Sequence, residues 1–121
     1  TQAAQWFGKA AEKDNSAAQA ELGRLFFNGL GVTENKQTGA TWYTKAANQG
    51  NHFAQSGLGI AYFKGEGVGK DVVEAYKWFN LAAAQGNTNA VSNREVVRRQ
   101  LTPEQVNEGQ NRALKFKPTT K

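Results

Sequence analysis

Apolar residues recur at helical intervals through most of the chain. Ala54, Leu58, Ala61 and Tyr62 share one face of a helix expected over 53–64, and Ala75, Trp78, Phe79, Ala82 and Ala83 share one face of the next, over 72–85. The same alternation stands one step earlier along the chain. Trp6, Trp42 and Trp78 are spaced 36 residues apart, each followed by an aromatic or Ala-Ala partner at the same offset. Leu22-Gly23 matches Leu58-Gly59, Phe26-Phe27 matches Tyr62-Phe63, and Gly29-Leu30-Gly31-Val32 matches Gly65-Glu66-Gly67-Val68. A fixed period of roughly 20–50 residues marks a chain built by stacking one supersecondary unit. Here the unit reads as two antiparallel helices, with helices near 2–13, 17–28, 36–49, 53–64 and 72–85, then two less regular ones.

Punctuation agrees with periodicity. Asn35 and Asp71 fall where second helices begin and can accept from free first-turn amides. Gly29, Gly65, Gly50 and Gly86 fall where helices end, and Gly23 and Gly59 suit close helix approach. The opening helix is a second-type helix without its first half, which implies further repeats upstream and offers an uncapped face to a homodimer. After Gly86 the pattern decays: Arg94, Glu95 and Arg98 replace Leu, Gly and Tyr, as a polar terminal cap requires. Thr102-Pro103-Glu104-Gln105 starts a last helix. Its Val106, Ala113 and Leu114 are expected to face the preceding helix, with 115–121 fraying. The layout is therefore repeats over 1–89 (a half repeat 1–14, full repeats 15–50 and 51–86) and capping helices with a basic tail over 90–121.

The motif from Ala54 to Gly86, Ala-x-x-x-Leu-Gly-x-x-Tyr-x-x-Gly-x-Gly-Val, then Asp, then Ala-x-x-Trp-aromatic-x-x-Ala-Ala-x-Gln-Gly, resembles the Sel-one-like repeat, a relative of the tetratricopeptide repeat. The resemblance implies an all-α, right-handed α-α superhelix with a C-terminal capping helix. It further implies a non-enzymatic adaptor or immunity-type module of bacterial envelope, secretion or signalling systems, with periplasm or secretion favoured over cytoplasm. Its partner would be a protein or peptide, such as a secreted effector, and no catalytic residue carries over. Gly39 in the place of Ala75, and the additional Gly57, depart from the pattern and predict a soft first unit.

Composition narrows the chemistry. A chain of 121 residues makes one ordinary domain. Without Cys there is no disulfide or thiolate metal site, which leaves the compartment open. No apolar run approaches the roughly 20 residues of a membrane span. His52 is the single histidine, so neither a His metal cluster nor a Ser-His-Asp set is indicated, and the carboxylates nominate no catalytic pair; no cofactor or metal is expected. Gly65-Glu66-Gly67-Val68-Gly69-Lys70 imitates a phosphate loop, but a helix precedes it, Asp71 follows it, and the aligned copy has no Lys, so it reads as a turn. Of the net charge of +5, most lies after residue 89, in Arg94, Arg98, Arg99, Arg112, Lys115, Lys117 and Lys121. With Phe116 between two lysines this end supports an alternative, nucleic-acid or anionic-surface binding, against the plainer reading of a solvated basic end.

A helix turns about 100° per residue, so the side of each first helix opposite its own partner carries Ala20, Arg24 and Phe27, then Ser56, Ile60 and Phe63, then Ser92, Val96 and Arg99. Stacking would line these along a concave groove. The expected protein-binding residues are Arg24, Phe27, Ile60, Phe63, Lys64, Val96 and Arg99, whereas the three tryptophans read as packing residues.

Overall fold

The computed structural model describes residues 2–119, which hold seven α-helices and no strand. They are α1 (Gln2–Glu12), α2 (Ser16–Asn28), α3 (Lys36–Asn48), α4 (His52–Lys64), α5 (Val72–Ala84), α6 (Thr88–Arg98) and α7 (Pro103–Lys115). From α1 to α6 consecutive helices pack on one another as hairpins, and the first helices α2, α4 and α6 touch one another in turn, which sets them side by side along one face. The architecture is an all-α solenoid.

Local chemistry starts and stops these helices. Asn15, Asn35, Asn51, Asp71 and Asn87 each accept from the backbone N–H three residues on. Thr102 and Gln105 form both halves of a capping box. Gly29 and Gly65 sit at φ 68° and 70°, a left-handed conformation that a Cβ would strain, and their amides return to Leu25 O and Ala61 O.

A buried glutamine ladder joins the units. Gln19 Nε2 donates to Ala11 O at 3.1 Å, and Gln55 Nε2, 36 positions on, donates to Ala47 O at 3.2 Å. Each amide thus adds a second donor to a last-turn carbonyl of the previous unit's second helix, beside the Asp14 or Gly50 N–H. Gln49 Nε2 then donates to Gln19 Oε1 at 2.8 Å, and Gln85 Nε2 to Gln55 Oε1 at 3.0 Å. Both Gln19 and Gln55 are 1% exposed, so their bonds to Ala11 and Ala47 are sealed from water, while those they accept from Gln49 and Gln85 are part-buried. Val91 stands at the next equivalent position, and the ladder stops there.

Several expectations are corrected. Trp78 is buried and Trp42 half-buried, but Trp6 is 68% exposed, because α1 packs on α2 whereas α5 is enclosed by α4, α6 and α7. Gly39 is no soft spot: a Cβ there would stand 2.7 Å from Phe27 N and 2.8 Å from Gly23 O, so its absence lets the backbones of α2 and α3 touch. Gly57 likewise makes room for the Tyr43 ring, whose Cζ would lie 2.7 Å from a Cβ. α7 packs on α5 rather than on α6: Gly109 meets the Tyr76 ring and Arg112 Nη1 bonds Glu74 Oε1 at 2.9 Å. Leu114 consequently points to solvent, 83% exposed.

The described segment after α7, residues 116–119, is not frayed. It folds back so that Phe116 meets Trp78 edge-on with centroids 5.4 Å apart, and Thr119 N donates to Asn48 O at 2.7 Å. Lys121 lies outside the described residues. The glycine-rich turn reading of 65–70 matches its packing: Gly67 has φ 78° against the Lys36 carbonyl, and Val68 packs on the core.

Candidate functional site

The inner face is built on one stripe of α4. Phe53, Gly57, Ile60 and Lys64 follow one another at three- or four-residue steps, facing α2 on one side and α6 on the other. One compartment, of about 560 Å³, lies between Ala17, Ala20, Glu21, Arg24 and Asn28 of α2, Phe53, Gly57 and Ile60 of α4, and Asn87 and Asn89 at the start of α6, with Tyr43 behind. A second, of about 360 Å³, continues past Phe27, Lys36, Tyr43, Ile60, Lys64 and Glu66. A third, of about 210 Å³, runs between Ile60, Phe63 and Lys64 and the α6 residues Asn93, Val96 and Val97. Ile60 borders all three and is the hinge of the surface.

Of the residues expected here, Arg24, Ile60, Phe63, Lys64 and Val96 line these compartments. Phe27 differs. It is only 7% exposed, because Tyr43 packs on its ring at 5.8 Å and Lys36 Nζ lies 4.4 Å from the centroid, so it forms a wall and not an open anchor. Arg99 caps α6, exposed, and lines none of the three compartments. The exposed ring that the periodicity argument missed is Phe53, 68% exposed. Its signal was legible, since Phe53 stands seven residues before Ile60 on the same helix face. Tyr43 could not be read this way, because it belongs to a second helix and reaches the groove from behind.

Phe53 is held from beneath. Its ring lies against that of His52, tilted by 35° with centroids 4.1 Å apart. Asn87 Oδ1 accepts from Ala90 N at 2.9 Å, which turns its Nδ2 toward His52 Nδ1 at 3.1 Å. In this arrangement the ring nitrogen accepts from the Asn87 amide.

Charge on the groove is mostly paired. Arg24 donates to Glu21 Oε1 from Nε at 3.1 Å and to Oε2 from Nη2 at 2.8 Å. This bond holds the Glu21 carboxyl below its ordinary range and raises the guanidinium. Lys36 pairs with Glu34 at 3.1 Å, whereas Lys64 has no ion pair among the described residues. Burial pushes the Tyr43 phenol up, opposed by the Arg24 charge and assisted by that of Glu21.

No group of three or more His, Asp or Glu gathers as a metal site among the described residues, and no helix there is long and apolar enough to cross a membrane. At the basic end, Arg98 pairs with Glu95 and Arg112 with Glu108 and Glu74. Phe116 is packed on Trp78, so the aromatic that stood between two lysines is not free to stack on a base.

A family model described as the Sel1 repeat matches residues 1–15, 16–51 and 52–87. Among solved structures, c5321 of uropathogenic Escherichia coli, described as a protective antigen displaying an SLR fold, superposes with a TM-score of 0.90 at 37% identity over 93% of this chain. This chain spans 24% of the length of that protein. A Sel1 repeat protein from Oxalobacter formigenes superposes with a TM-score of 0.72 at 42% identity, over 75% of this chain and 68% of its own. No curated protein matches significantly.

Proposed function

The chain belongs to the Sel1-repeat family, whose members are generally protein–protein interaction modules, and from that membership we propose that it works without catalysis by binding a protein or peptide along the inner face of α2, α4 and α6. One observation carries the reading: Phe53, Ile60 and Val96 offer apolar surface to solvent along a continuous groove, bordered by Arg24, Asn28 and Lys64. Exposed aromatic and aliphatic anchors with a polar rim are the usual composition of a binding hot spot. Phe63 extends the apolar strip toward α6, and Phe27 supports it from below.

The test is photo-crosslinking. Benzoylphenylalanine replaces Phe53 or Ile60 in the groove, and Arg94 or Leu114 on the far end, in cells of the source organism. Adducts to a discrete partner should form from the groove positions. Adducts confined to positions 94 and 114 would sink the proposal.

A narrower form is an adaptor or immunity-type protein that covers a functional surface of a secreted effector. It predicts a stoichiometric complex that weakens by at least tenfold with Phe53→Ala, the size expected on truncating a central anchor. The rival, nucleic-acid binding at the basic end, draws no support from the packed Phe116 or the paired Arg98 and Arg112. It predicts a steep loss of affinity with salt, indifferent to Phe53→Ala.

A further inference from the structure

Tyr43 and Phe79 occupy the same place in consecutive repeats, 36 residues apart, yet only one carries a hydroxyl. Phe79 shows that the fold does not need it. Around Tyr43 the chain is cut away on both sides: a Cβ at Gly23 would lie 2.6 Å from the ring, and one at Gly57 2.7 Å from Cζ, the atom that bears the oxygen. In the next repeat the position of Gly57 is held by Asn93. Gly57 is thus a window, opened only where the aromatic behind it ends in a hydroxyl.

Through that window Tyr43 lines both the 560 Å³ and the 360 Å³ compartments. Its oxygen makes no hydrogen bond among the described residues, and although Tyr43 is only 8% exposed, the oxygen keeps part of that surface, since it is not among the fully buried polar atoms left without a partner. The one buried side-chain polar atom left without a partner there is Trp78 Nε1. A phenol O–H that faces a groove and has no acceptor within the protein is available to a ligand. Beside it, Arg24 spends Nε and Nη2 on Glu21 and keeps Nη1 open.

Resting on the groove reading above, we infer that the Tyr43 hydroxyl, assisted by Arg24 Nη1, is a subsite that takes a neutral carbonyl oxygen of an extended peptide segment, fixing its register along α4. The acceptor is neutral because Glu21 already balances Arg24, so a carboxylate placed here would meet the Glu21 charge without a net cation to offset it. Phe53 and Ile60 to either side then receive apolar side chains of the same segment, in the alternation that an extended chain presents.

The experiment starts from a phage-displayed library of random dodecapeptides selected on the full chain. Enriched peptides are measured by fluorescence anisotropy against wild type, Tyr43→Phe, Phe53→Ala and Ile60→Ala. Tyr43→Phe keeps the ring that fills the core, and an unchanged thermal midpoint verifies this. Expected are apolar consensus peptides whose affinity falls roughly tenfold in Tyr43→Phe, the consequence of leaving one desolvated carbonyl unpaired, at low and at high salt alike. Equal affinity for Tyr43→Phe and wild type, with loss in Phe53→Ala and Ile60→Ala, overturns the subsite and leaves the groove standing. Peptides indifferent to Phe53→Ala and Ile60→Ala overturn the groove itself. An acidic consensus whose binding collapses with salt overturns the neutral acceptor, and a library that yields no binder overturns the extended peptide as occupant.

Discussion

Adding one methyl group at Gly39 and at Gly8 should move stability in opposite directions. Both glycines lie inside helices, where Ala is favoured by about 0.8–1 kcal/mol because it restricts the unfolded backbone. At Gly8 a Cβ meets nothing within 4 Å, so Gly8→Ala should keep most of that gain. At Gly39 the Cβ would stand 2.7 Å from Phe27 N, 2.8 Å from Gly23 O and 2.9 Å from Phe27 Cα. These are backbone atoms of α2 and cannot swing aside, so the helix pair must separate along its length. Overpacking of this kind costs about 1–3 kcal/mol, with backbone contacts toward the upper end. Against the propensity gain the net loss is about 1–2 kcal/mol, or roughly 4–8 °C in Tm for a domain of this size. Urea unfolding followed by far-ultraviolet circular dichroism gives both free energies. A Gly39→Ala protein as stable as Gly8→Ala would refute the claim that backbone contact, and not softness, explains this glycine.

Three further outcomes follow from contacts described above. Gln55→Leu removes two bonds, its own to the Ala47 carbonyl, which keeps the Gly50 N–H, and that from Gln85, and at about 0.5–1.5 kcal/mol each should lower the unfolding free energy by about 1–3 kcal/mol, whereas Gln105→Leu at the exposed capping box should lose no more than about 1 kcal/mol. Phe116→Ala should uncover Trp78, read as a red-shifted emission and stronger acrylamide quenching in a Trp6→Phe/Trp42→Phe background; unchanged emission would mean the tail is not seated. The Glu21 carboxyl, held low by Arg24, contributes stability above the ordinary carboxylate range, and this contribution disappears as pH falls through its depressed value. Because the pair is exposed, Arg24→Gln should flatten the acid limb of a stability-versus-pH curve by only a few tenths of a kcal/mol, and a larger change would indicate a role beyond the pair.

The sequence alone determined the repeat length, the helical hairpin, the caps at Asn35 and Asp71 and the terminating glycines, because periodicity, capping and left-handed turns are decided within a few residues of chain. It also determined which side of α4 bears Ile60 and Lys64. Tertiary structure decided the rest. Trp6, Trp42 and Trp78 share one motif yet differ in burial, since burial depends on which helices arrive against them. Phe27 and Phe63 are equivalent by register, but Lys36 covers the first ring where Val72 stands at the same position beside the second. The glycine window at Tyr43, the glutamine ladder and the return of Phe116 onto Trp78 each join different helices or segments, through residues 8 to 38 positions apart, and amphipathic spacing within one helix carries no information on such contacts.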